Sequence, residues 1–224
     1  MTINLISVAL PLAFSFHPKI KFYREWKYLF PAIAIMGAFF LTWDHYFTKW
    51  GVWSFNPDYV MGIYIAGMPI EEWMFFLFIP YSCLFIYHCL NLFFKHRWWD
   101  KAVPFISWAV VITCAGLMAA GLNRFYTFAT AFFLAVFILM MMIYRHSYWM
   151  GRFYRAYLVS KIPFLIVNGA LTALPVVVYN DNENLGVRIN TIPAEDAFYS
   201  MLMLMMVTAV YERLKKRSSE RGKV

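Results

Sequence analysis

Two pairs of carboxylic acids stand out in a chain that is otherwise strongly apolar. The segments PIEE (69–72) and PAED (193–196) lie 124 residues apart, each at the start of a membrane-length apolar stretch. Carboxylates at such positions are costly in lipid, so they usually face a protein interior and serve a function there. A scaffold that carries two acids twice is suited to moving protons. The acids are Glu71, Glu72, Glu195 and Asp196.

The spacing within each pair bears on the chemistry. Adjacent residues differ by about 100° around a helix, so the two acids of a pair cannot point the same way. Burial and a neighbouring like charge both favour the neutral form of a carboxyl, so one member of each pair could stay protonated at neutral pH. A neutral acid in an apolar pocket can act as a general acid on a hydrophobic substrate. The alternative is an ordinary helix start, with a proline first and acids in the first turn. Two copies in corresponding places favour the chemical interpretation.

The composition predicts an all-α integral membrane protein. The chain is 62% hydrophobic, 21% aromatic and 14% charged, far from the values of soluble domains. Apolar runs of about the length that crosses a bilayer recur along the chain. The first is short, but it lacks the basic leader and cleavage site of a signal peptide, so we interpret it as a helix. The seven predicted crossings are 2–16, 28–45, 62–93, 103–121, 125–143, 158–179 and 191–212.

The third segment is too long for a single straight crossing. From Tyr59 to Phe94 it covers 36 residues, which would be about 54 Å of helix against roughly 30 Å of hydrocarbon. Either the helix breaks near 67–69, or the acids lie well below the outer surface.

An internal repeat organises the chain. The offset that relates the acid pairs also pairs Gly62 with Gly186 and Tyr87 with Tyr211. We further align KFYR (21–24) with RFYR (152–155), and prolines and an LT dipeptide follow in both copies. The aligned positions are Pro31 with Pro163 and Leu41-Thr42 with Leu171-Thr172. Two parallel three-helix repeats joined by a linker helix follow from this, related by an axis near the membrane normal and sharing a central cavity. The predicted units are 1–97, the linker 98–122, 123–213 and a basic cytoplasmic tail, 214–224.

The distribution of positive charge predicts the orientation. Seventeen of the 20 lysines and arginines fall on one predicted side, leaving Lys49, Arg124 and Arg188 for the other. The positive-inside rule then places the N-terminus outside and the C-terminus in the cytoplasm, in a multi-pass protein of the inner (cytoplasmic) membrane. The net charge of +8 is therefore a topology signal, and we predict no nucleic-acid partner. The cytoplasmic set is Lys19, Lys21, Arg24, Lys27, Lys95, Arg97, Lys101, Arg145, Arg152, Arg155, Lys161, Arg213, Lys215, Lys216, Arg217, Arg221 and Lys223.

Other polar and aromatic residues near the acids have two interpretations each. Trp43 and Asp44 end the second helix on the side of the acids, as part of the site or of a hydrated interfacial belt. Arg188 either neutralises an acid of the second pair or is a loop cation. The aromatic residues after the first acid pair either pack or stabilise a cation through their π faces; they are Trp73, Phe75 and Phe76. We assign four residues of the loop after the second helix to the interfacial belt: Trp50, Trp53, Phe55 and Tyr59.

Several cofactor-dependent classes lack their expected signatures. The sequence contains no glycine-rich dinucleotide fingerprint, so it predicts no flavin or nicotinamide domain. The seventh segment has no lysine for a retinal Schiff base, and aspartate-rich Mg²⁺ motifs are missing. These observations leave acid–base chemistry on a lipophilic molecule, with no cofactor and no metal.

At this point the chain resembles a known family, the heterodimer-type lycopene cyclases of bacteria and the cyclase region of the fungal fused carotenoid enzymes. The resemblance covers nearly the whole chain, with the two units fused. The second unit has Asp196 in the place of Glu72 and lacks the aromatic run after it. The first unit carries WD (43–44), GVW (51–53), NP (56–57), GI (62–63) and PIEEWMFF (69–76), and the second carries GVRI (186–189), PAED (193–196) and YE (211–212).

The resemblance implies cyclisation of the linear ends of lycopene to β-ionone rings, giving β-carotene or γ-carotene. A proton adds to a terminal double bond, an internal alkene attacks the cation, and a proton is lost, so the enzyme would be a cofactor-independent lycopene β-cyclase. Glu71 or Glu72 would act with Glu195 or Asp196, and Asp44 would orient or hydrate them. The polyene would contact Trp43, Tyr64, Trp73, Phe75, Phe76 and Tyr199. The alternatives are a membrane terpene cyclase on another prenylated substrate and a non-catalytic carotenoid-binding or proton-conducting protein.

Overall fold

The chain folds into a helical bundle whose helices are mostly of membrane-spanning length. The computed structural model describes residues 1–94, 99–144 and 147–221. Six helices of this part, α2 to α7, are long and apolar enough to cross a membrane, and α1 is shorter. This confirms the predicted all-α membrane architecture. The helices are α1 Thr2–Phe14, α2 Trp26–Lys49, α3 Ile70–Phe93, α4 Trp99–Ala120, α5 Phe125–Ile143, α6 Met150–Ala173 and α7 Glu195–Arg221.

The long third segment breaks before the acids, as one of the two alternatives predicts. Strands β2 (Tyr64–Ile65) and β3 (Met68–Pro69) form a hairpin, and α3 begins only after it. The two residues between the strands, Ala66 and Gly67, have φ angles of 52° and 79°, the left-handed values that tight hairpin turns require. The first acid pair therefore lies in the first turn of α3 rather than inside a continuous helix.

Short strands also join the two halves of the chain. The sequence pattern does not predict this pairing. Strand β1 (Trp53–Phe55), after α2, pairs antiparallel with β4 (Val177–Tyr179), after α6. We call this pair the cap sheet. A second hairpin, β5 (Arg188–Ile189) with β6 (Ile192–Pro193), precedes α7 as β2–β3 precedes α3.

The internal repeat is confirmed, and the structure shows a single offset throughout. Strands β1, β2 and β3 begin at residues 53, 64 and 68, and β4, β5 and β6 begin at 177, 188 and 192, each 124 residues later. Helices α2 and α6 begin at 26 and 150 and end at 49 and 173, with the same offset. The alignment of KFYR (21–24) with RFYR (152–155) is therefore wrong, because the first precedes α2 and the second lies inside α6. The proline and LT alignments are also wrong, because both copies lie inside α2 and α6 but do not follow the offset of 124 residues. Apolar helices share so many residue types that such local matches occur out of register.

The helices of the two halves pack in an exchanged pattern. Helix α1 packs on α3 and α5 on α7 within the halves, whereas α2 packs on α7 and α6 on α3 between them. Helix α4 packs on α5 and α6. The α2–α7 interface is filled by aromatic rings, with the centroid of Tyr199 5.1 Å from that of Phe40 and 5.8 Å from that of Trp43. The α3–α6 interface contains a cavity instead.

The start of α6 changes the interpretation of several cations. The orientation argument counts Arg152, Arg155 and Lys161 as cytoplasmic, but α6 begins at Met150 and contains all three. Arg152 and Arg155 remain near its beginning, whereas Lys161 is the twelfth of its 24 residues. The basic residues after 213 continue α7 as a helix to residue 221. Four cations of the orientation argument lie outside the described residues: Lys95, Arg97, Arg145 and Lys223.

Candidate active site

A cavity of about 480 Å³ lies between α1, α3, α6 and α7, beneath the cap sheet. Side chains alternate between the two faces of a strand, and one face of the cap sheet lines the cavity while the other contains the exposed residues Ser54 and Val178. Each half of the chain supplies one strand, so both halves are needed to close this end of the cavity. The inward residues are Trp53, Phe55, Val177 and Tyr179.

One side of the cavity faces the surroundings of the bundle. Ile6 and Leu10 of α1 and Ile166 of α6 line the cavity, yet they are 69%, 68% and 69% exposed. In a protein whose helices span a bilayer, large apolar side chains on the outside of the bundle contact lipid. The cavity is therefore accessible from the side, between α1 and α6, to a lipophilic molecule.

The two acids of each pair have different positions. Glu72 and Asp196, the second of each pair, line the cavity together with Asp44. We call these three residues the carboxyl cluster. Glu71 and Glu195, the first of each pair, are buried outside the cavity lining. The structure thus brings together three of the five predicted catalytic residues from α2, α3 and α7.

Glu71 and Glu195 hold the loops that precede their helices. Oε1 of Glu71 accepts a hydrogen bond of 2.9 Å from the backbone N–H of Met61. Oε1 of Glu195 accepts the equivalent bond, 2.8 Å, from Leu185 and a second of 2.6 Å from the hydroxyl of Thr127. These contacts give both residues the same structural position in the two repeats.

Asp196 is surrounded by hydrogen-bond donors. Oδ1 accepts from the Tyr126 hydroxyl at 2.6 Å, and Oδ2 accepts from Asn168 Nδ2 at 2.7 Å and from the Tyr179 hydroxyl at 2.9 Å. Hydrogen bonds to the charged form of a carboxyl favour ionisation. Burial and the charge of Asp196 raise the pKa of Tyr179, in the cap sheet, well above its usual range, so this hydroxyl remains a donor. The geometry suits an aspartate that is a carboxylate.

Asp44 and Glu72 form a different arrangement. Asp44 is 2% exposed, and its Oδ1 accepts a hydrogen bond of 2.6 Å from the Tyr199 hydroxyl. Its side chain also interacts directly with that of Glu72. Two buried carboxyls in contact cannot both be ionised at low cost, so at least one of them holds a proton. The residue equivalent to Asp44 in the second repeat is Asn168, so the first repeat has an acid–acid pair where the second has an amide–acid pair.

The predicted substrate-contacting residues fall into three groups. Phe75 and Tyr199 line the cavity. Trp43 and Phe76 are buried in the aromatic packing around Phe40. The other two lie at the β2–β3 hairpin, since the indole of Trp73 donates to the backbone oxygen of Ile65 and Tyr64 is a strand residue that is 47% exposed.

Two further expectations are decided by the structure. The assignment of Trp53 and Phe55 to an interfacial belt is wrong, because both line the cavity and Trp53 is 6% exposed. Arg188 forms an ion pair with Asp181 and donates to the backbone oxygen of Thr191. It therefore acts as a loop cation, the second of its two interpretations.

The polar residues of the cavity that were not predicted include Tyr126, Lys161, Asn168 and Tyr179. Two of them left signals in the sequence. Asn168 lies 124 residues after Asp44, at the repeat offset, and Lys161 lies inside an apolar stretch. The two tyrosines left none, because an apolar chain rich in aromatic residues offers many equivalent candidates.

Comparison with known proteins identifies the family. The family model described as lycopene cyclase matches residues 1–90 and 123–214. The chain belongs to the lycopene cyclase family. The two matched segments cover α1–α3 as far as residue 90 and α5–α7 as far as residue 214, so the family match follows the internal repeat and confirms the resemblance. The segment between the two matches contains α4.

Two fungal proteins show partial similarity to this family member. The bifunctional lycopene cyclase/phytoene synthase of Neurospora crassa is 37% identical over 51 residues, 23% of this chain and 8% of the relative. The protein of the same description from Podospora anserina is 28% identical over 90 residues, 40% of this chain and 14% of the relative. The matched regions are thus a small part of each relative's length. No solved structure matches the chain.

Proposed function

We propose that the protein is a lycopene β-cyclase of carotenoid biosynthesis, which closes β-ionone rings at the linear ends of lycopene by proton transfer. The observation that carries this proposal is the carboxyl cluster under the cap sheet of a cavity open to lipid, in a chain of the lycopene cyclase family. A carboxyl in such an apolar, water-poor site can donate a proton to an alkene and can later accept one from carbon.

The substrate reaches the acids from the bilayer. A polyene enters end-first through the opening between α1 and α6, past Ile6 and Ile166. The cavity of about 480 Å³ has the size of a pocket that buries a molecule much smaller than lycopene. One end of the polyene therefore occupies the cavity while the rest stays in lipid, and the two ends of a molecule are cyclised in separate visits.

The reaction is an isomerisation with two proton transfers. The proton of Glu72, whose carboxyl lies beside that of Asp44, adds to the terminal double bond of the bound end, leaving a tertiary carbocation. The internal alkene attacks this cation and forms the ring, and Asp196 removes a proton from the ring carbon to give the new double bond. Substrate and product have the same composition, so no electrons are exchanged with a redox cofactor.

Aromatic rings around the carboxyl cluster support the cationic stage. Phe75, Tyr199 and Trp53 line the same cavity, and a π face stabilises a nearby cation more strongly where water is excluded. Glu71 and Glu195 contribute indirectly in this mechanism, by holding the loops that place α3 and α7.

Cyclisation in D₂O tests the proposal. Membranes that contain the protein, supplied with lycopene and without flavin or nicotinamide, should yield cyclic isomers that carry one deuterium per ring. The label arises because the carboxyl proton exchanges with water between turnovers and then enters the product. Membranes from cells without the protein are the control. No ring formation from lycopene, or rings without deuterium, would contradict the proposal; conversion of a different prenylated substrate would identify another terpene cyclase.

We propose the orientation from the distribution of charge, with the acid end of the bundle outside and the C-terminus in the cytoplasm. Single cysteines introduced at Asn182 and after Arg217, in a background without Cys83, Cys89 and Cys114, should label differently with a membrane-impermeant reagent. We expect Asn182→Cys to react in intact cells and the C-terminal cysteine to react only after lysis. The reverse pattern would place the carboxyl cluster near the cytoplasmic face.

A further inference from the structure

Lys161 is a cation at the middle of a membrane-spanning helix. It is the twelfth of the 24 residues of α6, and it lines the cavity. A lysine at this depth costs several kcal/mol unless it has partners, so it generally marks a functional site. Within the described part of the chain it is the only lysine or arginine in the cavity lining.

The ammonium of Lys161 has a defined position. Nζ donates a hydrogen bond of 2.7 Å to Oγ of Ser200. It also lies 3.8 Å from the ring centroid of Phe164 and 4.2 Å from that of Tyr157, distances at which a π face stabilises a cation. These contacts direct the charge inward, towards α7, rather than outward to lipid.

The position of Ser200 brings this charge to the carboxyl cluster. Ser200 is four residues after Asp196 on α7, so their side chains lie on the same face one turn apart. Through its bond to Ser200, the ammonium of Lys161 therefore lies on the side of α7 that carries Asp196. The other titratable groups around it are Cys83 of α3 and Tyr157 of α6 itself, and the same cavity is lined by Asp44, Glu72, Tyr126, Tyr179 and Tyr199. Helix α1 contributes no titratable side chain to the lining, only Ile6, Ser7, Leu10 and Pro11.

We infer that Lys161 is the counter-ion that keeps Asp196 ionised, and thereby a positioning residue for the base of the cyclisation. This inference rests on the proposed function. An apolar cavity tolerates little net charge. Three carboxyls and one ammonium are neutral together when one carboxyl is ionised and two hold protons. The donors around Asp196 and the proximity of Lys161 assign the negative charge to Asp196, which leaves the protons on Asp44 and Glu72.

The test compares Lys161→Met and Lys161→Gln with Lys161→Arg, in the full-length protein in lipid nanodiscs with lycopene. Without the ammonium, Asp196 takes up a proton and cannot act as a base, so kcat should fall about 100-fold, the lower range for loss of general base catalysis, while KM changes little. Lys161→Gln can still bond to Ser200, which separates the charge from the hydrogen bond. Lys161→Arg restores the charge and should recover most of kcat.

Infrared spectra of the same samples provide a readout that needs no substrate. A protonated carboxylic C=O band, in addition to those of Asp44 and Glu72 in the wild type, should appear in Lys161→Met and Lys161→Gln, and this additional band should be absent when Asp196→Asn is added. Wild-type kcat in both neutral variants would overturn the inference, and so would a loss of kcat without the new band. If the wild-type protein does not cyclise lycopene, the proposed function fails, but the infrared result still decides whether Lys161 keeps Asp196 ionised. Size-exclusion chromatography in detergent shows which variants are folded, and any folded neutral variant suffices.

Discussion

Glu72→Gln should lower the rate of lycopene cyclisation about 1,000-fold, within the range expected for loss of a general acid. Glutamine keeps the shape of the side chain but has no carboxylic proton to donate to the terminal alkene. Asp44, the partner of Glu72 in the cavity, is fixed through Oδ1 by the Tyr199 hydroxyl, and in the proposed mechanism it orients Glu72 rather than donating to the alkene. The measurement is kcat in nanodiscs, with product separated by chromatography.

Glu71→Gln is the matched control, since it makes the same change one residue away. Its oxygen can still accept the hydrogen bond from the N–H of Met61, and the side chain lies outside the cavity lining. We expect cyclisation within a few-fold of wild type. Equal losses in both variants would argue against a special role for the cavity-facing acid, and wild-type activity in Glu72→Gln would remove the proposed acid.

The acid pairs and the repeat could be predicted because they contrast with their surroundings. Carboxylates are rare in a chain that is 62% hydrophobic, so two pairs at one offset are conspicuous. The same offset then recurs in every strand and in α2 and α6. Alignments that rested on common residue types, such as Pro31 with Pro163, do not follow this offset.

The division of work within each pair could not be predicted from the sequence. Helical geometry states that Glu71 and Glu72 point in different directions, but not which of them meets the cavity. That is decided by the loop before α3, where the N–H of Met61 binds the first acid. The loop conformation depends on positive φ angles at Gly62, Ala66 and Gly67, and only the tertiary fold fixes these.

The cap sheet could not be predicted from the sequence either. Each of its strands has three residues, too few for a period of two to be recognised against an apolar, aromatic background. Trp53 therefore fits an interfacial belt as well as a cavity wall. Pairing with Tyr179, more than 120 residues away, is what turns it inward, and such long-range pairings are not visible in local pattern.

The site is asymmetric because the two repeats carry different side chains at corresponding positions. Corresponding helices form the α2–α7 and α3–α6 interfaces, but rings such as Phe40 and Trp43 fill the first, whereas the second holds the cavity. Near the carboxyl cluster, Asp44 corresponds to Asn168 and Glu72 to Asp196. Duplication thus supplied two similar acids, and divergence of their neighbours gave one a second carboxyl and the other three donors.

Asp196→Asn should lower the rate of ring formation about 100- to 1,000-fold, a loss similar to that of Glu72→Gln. The isotopic result should differ between the two variants. The variant retains Glu72 and Asp44, so protonation of the terminal alkene still occurs. The cation then lacks the base that removes the ring proton, and it returns to lycopene by giving a proton back. In D₂O, repeated cycles of this kind should place deuterium in the recovered lycopene.

The isotopic pattern separates the roles of acid and base that we propose for Glu72 and Asp196. Recovered lycopene should be labelled in Asp196→Asn and unlabelled in Glu72→Gln, although both variants make little cyclic product. Glu195→Gln is the matched control for the second repeat, because Glu195 lies outside the cavity lining and binds Leu185 and Thr127; it should form labelled rings at close to the wild-type rate. Labelled lycopene in Glu72→Gln together with unlabelled lycopene in Asp196→Asn would exchange the roles of acid and base. Since the donors around Asp196 come from α5, α6 and the cap sheet, that outcome would also mean that three hydrogen bonds and a nearby ammonium do not suffice to keep a carboxyl ionised in this cavity.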